Sequence, residues 1–450
     1  MSLSSDQYSV GIGAVVLTAI LMLNGSLQGF AQSDIPASHQ QMVSIGDSLA
    51  RAGDAALHIV YVHGIGATGA GDSGMLRKSI CDYLKDCTSV AGDSHGSDSP
   101  DQGVFAPTSG PPALTYLGEP IWNDAKEWAS ARPFVDHYVL ARKHGKSILV
   151  DEINWWPLVT ALKCRNILVQ EAKLAGVDIG YLGDCVRYGA ITPEAATELE
   201  SLPSKSVLLN RKVKIGLMDW GFSDAMLAVG PLHELLIEGI RQLLMKSVVP
   251  DKDASNSEYI IITHSLGSFL IFSALNPQND GPSELASNTS ERVQTFDYLM
   301  AHMSQVYFFA NQVPLLELAR LGGSLAPLSP SSSQTESALA MTTPAGRSTY
   351  LADLDHWRTQ RHAQQSRSRE MVEPIANEPQ IVAWSDPNDL LSWEVPDLSK
   401  EGINAVNLYP KNATRWLWLL EMPLAAHDNY AKNKGVIRAL LNPKQVEGSR

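Results

Sequence analysis

Six short runs of apolar and β-branched residues punctuate the chain: Leu57 to Val62 (LHIVYV), Ser147 to Asn154 (SILVDEIN), Tyr259 to Thr263 (YIIIT), Gln305 to Ala310 (QVYFFA), Gln380 to Trp384 (QIVAW) and Ala405 to Tyr409. Their length and composition predict strands. Between them the spacing of Leu, Ile and Val changes to the helical period. Met75 to Leu84 reads as an amphipathic helix, 158–248 as mostly helical with its most regular stretch at Leu232 to Val248, and the segment up to Leu275 as an apolar helix. Val293 to Met303 is also helical by pattern, and Asp428 to Leu441 predicts a last helix that His427 opens. Strand–loop–helix alternation of this kind builds parallel sheets. Residues 88–115, rich in Gly, Ser, Asp and Pro, read as a surface loop; 323–349, rich in Ser, Pro and Thr, as a surface excursion. Residues 32–54 form a polar lead-in and 350–377 a polar stretch with room for a helix, and no internal repeat is visible.

Composition narrows the classes. The chain has 450 residues, 44% of them hydrophobic, enough for a sizeable core as one large domain with insertions or as two smaller ones. Its 48 acidic and 35 basic residues give a formal charge of −13. With no Lys/Arg run to offset this, nucleic-acid binding is not expected.

The apolar stretch Val10 to Leu23 has signal-peptide length and falls short of a comfortable membrane span, and Gly29-Phe30-Ala31 places small residues for cleavage after Ala31. The expectation is an exported chain with residues 1–31 removed, although the leading MSLSSDQYS lacks Lys and Arg. An uncleaved membrane anchor and an ordinary buried segment are the alternatives. Cys81, Cys87, Cys164 and Cys185 remain after such cleavage. An even number in an exported chain suggests disulfides, with Cys81–Cys87 and Cys164–Cys185 as the proximity pairing among three connectivities. Free thiols are the bland reading. A zinc site is weaker, because no C-x-x-C pairs or adjacent His pair occur.

The sharpest chemical signal is Thr263-His264-Ser265-Leu266-Gly267, set between a strand and a helix. That is the context of the G-x-S-x-G nucleophile elbow, a tight turn exposing a serine hydroxyl at a sheet edge, with small residues needed two positions either side. Gly267 fits, and Thr263 stands where a glycine is usual.

On these residues the chain resembles the α/β-hydrolase superfamily, on its esterase/lipase side, over most of 57–441. The resemblance implies an α/β fold: a mostly parallel, doubly wound sheet beginning at the family's third strand, with helical insertions near 88–146, 158–248 and 323–377. His63-Gly64-Ile65-Gly66 is similar to the loop preceding the family's oxyanion hole, whose backbone donors would be Ile65 or Gly66 together with Leu266. His63 would shape that loop, and His264 flanks the nucleophile. His427 occupies the place of the general base. The acid is Asp389, favoured because Asn388-Asp389-Leu390-Leu391 resembles the family's turn, or Asp386, which otherwise starts the turn.

The implied reaction is hydrolysis of a small-molecule or lipid ester, with no metal or organic cofactor, and with peripheral contact to membrane or lipid as an option. A thioesterase, an amidase, a lipid-glycan deacylase and a non-catalytic binding protein are the rival readings, and the oligomeric state stays open. His58, His233 and His302 read as structural, and Asp251, Asp253 and Glu258 as a solvated loop. Trp155, Trp156 and Trp220 suit either a core or an apolar substrate wall. Asp219-Trp220-Gly221-Phe222 with the 232–248 helix is a candidate lid, and Asn288 and Asn412 head glycosylation sequons.

Overall fold

A computed structural model of the chain describes residues 44–51, 57–65, 71–91, 125–175, 182–201, 221–230, 232–248, 257–275, 302–320, 380–395, 404–412 and 423–442, with isolated residues within 115–122, 295–299 and 415–421. The calls on the signal peptide, Gly66, Trp220, Asp251, Asp253, Asn288 and the 323–377 excursion lie outside the described residues.

One mixed sheet organises the rest. In chain order its strands are β1 (Leu57–Val62), β2 (Cys87–Ala91), β3 (Phe134–Arg142), β4 (Ile148–Asn154), β5 (Glu258–His264), β6 (Met303–Phe309), β7 (Gln380–Trp384) and β8 (Ala405–Leu408). Across the sheet they lie β8-β7-β6-β5-β1-β4-β3-β2. From β8 to β4 every pairing is parallel. β3 runs antiparallel to both β4 and β2, so it alone is reversed. The parallel strands β1, β6 and β7 are buried at every position, because helices cover both faces. One apolar cluster joins Val60, Val62, Ile261 and Phe308 to the helices Trp156–Lys163, His233–Ser247 and Leu266–Ala274. The opposite face joins Ile59, Ile262, Tyr307 and Val382 to Ile45–Arg51, Gly74–Leu84 and Lys434–Leu441. Adjacent residues of one strand thus serve opposite layers, as period-two geometry requires.

Three sequence expectations need correction. The 88–146 segment is more than an insertion, since it supplies β3 and most of β2. β3 reads FVDHYVLAR, with polar and apolar residues mixed and nearly all positions half-buried, so it lacks the apolar run that marked the central strands. Glu258 is not in a solvated loop; it is the buried first residue of β5. The last helix does not run unbroken from Asp428: His427 lies within Pro423–Asp428, a 3₁₀ turn follows at Tyr430–Lys432, and Asn433 caps Lys434–Leu441 by accepting from the Gly435 and Val436 N–H groups.

Both expected disulfides are formed, and no cysteine is free. Cys81–Cys87 ties the Gly74–Leu84 helix to edge strand β2, and Cys164–Cys185 pins a small separate core with Leu168, Ala172 and Leu199. Such bridges fit an oxidising compartment. No helix of the described residues is long and apolar enough to cross a membrane.

Candidate active site

The carboxyl ends of β1, β5, β6 and β7 deliver, in turn, His63-Gly64, Ser265, Gln312 and Asp389 to one edge of the sheet. Ser265 follows β5 directly at φ 54°, ψ −124°, a conformation that side chains rarely adopt. Its N–H still reaches the Phe309 carbonyl (2.8 Å), so the sheet holds the residue while the chain reverses into the Leu266–Ala274 helix. Two glycines leave room for this. A Cβ on Gly64 would stand 2.5 Å from the Ser265 Cβ, and one on Gly267 2.4 Å from the Val62 carbonyl oxygen. Thr263 replaces the usual glycine without conflict because it stays inside the sheet, its hydroxyl donating to the Tyr307 carbonyl at 3.4 Å.

Ser265 Oγ lies 2.9 Å from His427 Nε2, and His427 Nδ1 lies 2.9 and 3.0 Å from the two oxygens of Asp389. All three residues are buried. With Nδ1–H donating to the carboxylate, Nε2 is the acceptor facing the serine hydroxyl. The Asp389 carboxylate also accepts from the Leu391 N–H (2.9 Å) and the Tyr430 hydroxyl (3.1 Å). Burial, then the nearby Asp389 charge, pushes the Tyr430 phenol far above its ordinary range, so it remains a donor.

Asp386 does not face His427. It accepts from the Asn388 N–H (2.8 Å) and the Asn412 N–H (2.6 Å), and its own N–H donates to Tyr430 Oη (2.7 Å). Asp386 shapes the turn, and Asp389 reaches His427.

Around this relay, His63 Nδ1–H donates to the Gly64 carbonyl (2.9 Å), its ring stacks on Trp155, and Trp155 Nε1–H holds the His63 carbonyl (3.1 Å). Trp155 and Trp156 belong to the core rather than to a substrate wall, whereas Phe222 is exposed. Leu266 is the first helical residue, so the helix supplies no acceptor for its N–H. His264 Nε2–H donates to the His427 carbonyl (2.9 Å), tying the Ser265 turn to the His427 segment. Burial, then repulsion from His427, lowers the His264 pKa to about 4. His58 stacks on Tyr259, and His233 and His302 bond main-chain carbonyls, so these three are structural. The Asn412 side chain is likewise engaged, donating to the Ala426 carbonyl and accepting from Asn433.

Three participants carried no sequence signal strong enough to be singled out. Gln312 Nε2 donates to Ser265 Oγ at 2.7 Å. Tyr430 braces Asp389 and the Asp386 turn together. Glu152, fully buried at the end of β4, accepts from the N–H groups of Gly71, Asp72 and Ser73 at 2.7 to 3.0 Å and also binds the Ser73 hydroxyl. A charge inside the apolar run SILVDEIN was the one available hint, since a buried carboxylate must find donors.

A cavity of about 210 Å³ opens beside the relay, lined by His63, Gly64, Ile65 and His264 and by the charged residues Asp72, Asp428 and Lys432. His264, His427 and Asp428 lie close enough to bracket a cation, but both His427 nitrogens are engaged in the relay.

No family model, curated protein or solved structure matches the chain.

Proposed function

We propose that this chain is a serine hydrolase of the α/β-hydrolase type that cleaves a carboxylic ester through an acyl-enzyme. The observation that carries the reading is the unbroken relay from Ser265 Oγ through His427 to Asp389, mounted on a serine held at positive φ. Strained backbone persists only where its surroundings enforce it, and it clusters at reacting groups. Ser265 Oγ attacks the ester carbonyl while His427 Nε2 takes its proton. Asp389 keeps the proton on Nδ1 and stabilises the imidazolium. The tetrahedral oxyanion lies against the N–H groups of Leu266 and Ile65, at the positive end of the Leu266–Ala274 helix. His427 protonates the departing alcohol, and water, activated by the same imidazole, releases the acid.

A purely binding protein has no need of an acid that reaches the base, and Asp389 does reach it. The charged groups around the adjoining cavity favour a substrate with a polar portion there. The two disulfides support export.

Fluorophosphonate labelling of the purified chain from Gln32 onward tests this reading. Labelling should vanish in Ser265→Ala and slow by at least ~10³-fold in His427→Ala. A folded wild-type protein that takes no label would overturn the assignment. A panel of ester, thioester and amide substrates separates the ester reading from the thioesterase and amidase alternatives.

A further inference from the structure

Ser265 Oγ has a second polar neighbour besides the base: the Gln312 side-chain amide, 2.7 Å away. We propose that Gln312 is a catalytic residue that donates a hydrogen bond to the nucleophilic oxygen itself, orienting the hydroxyl before attack and stabilising the charge that develops on it. The proposal rests on the serine-hydrolase reading above and adds a donor outside the serine–histidine–aspartate relay and its oxyanion hole.

The donor count gives the orientation. A hydroxyl offers one hydrogen and two lone pairs, and an amide nitrogen can only donate. With Gln312 Nε2–H directed at one lone pair of Oγ, the single serine hydrogen is free to point at His427 Nε2, 2.9 Å away. The amide thus selects the reactive rotamer of the serine. As His427 takes the proton and the Oγ–carbon bond forms, negative charge passes through Oγ and the amide N–H stabilises it. In deacylation the same oxygen departs from the acyl carbon and regains its proton from His427, and the same N–H again stabilises the leaving oxygen.

Gln312 is held in place to an extent that a space-filling residue does not need. Its own N–H donates to Ser268 Oγ (3.1 Å), whose hydroxyl donates to the Ser265 carbonyl (2.7 Å), so the main chain of Gln312 is also tied to the elbow. The preceding Ala310 is one of three non-glycine residues at positive φ (53°) among the described residues, and its N–H is fixed to the Trp384 carbonyl (3.0 Å). Asn311 donates to the Trp393 carbonyl and accepts from the Trp393 N–H through its own carbonyl. The chain therefore leaves β6 through a strained residue and is clamped at the next, and the residue after that reaches the nucleophile. Burying a glutamine side chain sacrifices rotamer entropy, and strain at Ala310 adds to that cost. A packing role would be met as well by Met or Leu.

The experiment compares fluorophosphonate labelling rates of wild type, Gln312→Met and Gln312→Glu across pH, with circular dichroism as the check on folding. Labelling of wild type that is lost in Ser265→Ala first secures the serine-hydrolase reading; without it, both readings fall. Given that, Gln312→Met should label roughly 10- to 100-fold more slowly, the range for a hydrogen bond to a charged group. Gln312→Glu has the same shape but presents an acceptor at neutral pH, diverting the serine hydrogen from His427. Its rate should fall at least as far, and its ratio to wild type should improve toward acid as the carboxyl gains a proton and becomes a donor. A structural role alone would give no such pH signature. Both variants within twofold of wild type at all pH values would overturn the proposal and leave the hydrolase reading standing. Should neither variant fold, the Gln312 side-chain amide protons of the wild-type protein decide by NMR. One of them should move on Ser265→Ala, and no change would overturn the proposal.

Discussion

The two turns that carry the serine and the acid of the proposed triad are built by opposite means. At the elbow, shape depends on what is missing: Gly64 and Gly267 have no Cβ, and main chain or Ser265 itself fills the space one would occupy. At the acid turn, shape depends on what is present. Asp386 accepts from the N–H groups of Asn388 and Asn412, Tyr430 bridges Asp386 and Asp389, and the Asp389 N–H closes the turn on the Asp386 carbonyl (2.9 Å). Steric demands of the first kind are written as glycines, at Gly267 beside the serine and at Gly64 after β1. Hydrogen-bonding demands of the second kind draw on partners tens of residues away and can be met in several ways. The two carboxylates make the point: three residues apart and chemically the same, one holds a histidine ring and the other holds main chain.

The largest effect expected from separating those two roles is at Asp389. Asp389→Asn keeps the shape but offers an amide to His427 Nδ1, so the base loses its tautomer and its counter-charge. Labelling of Ser265 should slow by ~10³–10⁴-fold with little change in melting temperature. Asp386→Asn should do the reverse. Labelling should stay within about fivefold, while stability falls by about 1–3 kcal/mol from the weakened hold on the Asn388 and Asn412 N–H groups. Equal losses of rate in the two variants would erase the distinction between the turns.

On the elbow side the expected effect is on stability. In Gly267→Ala the new methyl would meet the carbonyl oxygens of Val62 and His63 at 2.4 and 2.7 Å, and both belong to the main chain at the end of β1. Central strands yield little, so the variant should lose about 3 kcal/mol or more, read as a lower midpoint in urea unfolding. A midpoint near the wild-type value would show that the elbow relaxes, and that steric exclusion is not what shapes it.

The same contrast explains how much could be read from the sequence. The central strands announced themselves as apolar runs, and Thr263-His264-Ser265-Leu266-Gly267 marked the turn from β5 into the following helix, because strand, serine and glycine meet there within a few residues. Asp389 and Asp386 could be ranked but not separated. What decides between them is the closure of the 423–442 segment over β7, which brings His427 and Tyr430 to the turn from about forty residues further on. Gln312 escaped notice because one glutamine beside an apolar helix has no pattern; only the register of β6 against β5 directs it at the serine. β3 was missed because a half-buried strand beside a sheet edge needs no continuous apolar run.

The smallest effect concerns the tie between the elbow and His427, the bond from His264 Nε2–H to the His427 carbonyl. In the unfolded chain His264 takes up a proton near its ordinary value of 6.5, whereas in the fold burial and the neighbouring His427 hold it at about 4. Asp428 and Asp389 act in the other direction without overcoming these. Asp72 and Lys432 line the same cavity as His264. Between pH 6.5 and about 4 the unfolded state therefore binds the extra proton. The stability contributed by neutral His264 is complete above that window and is lost as pH falls through it. His264→Gln keeps a donor for the carbonyl and removes the titration. Its melting temperature should fall less steeply than that of wild type between pH 7 and pH 4, by several degrees over the window. Parallel slopes would assign the acid sensitivity to other groups and leave the tie between elbow and base as a hydrogen bond indifferent to pH.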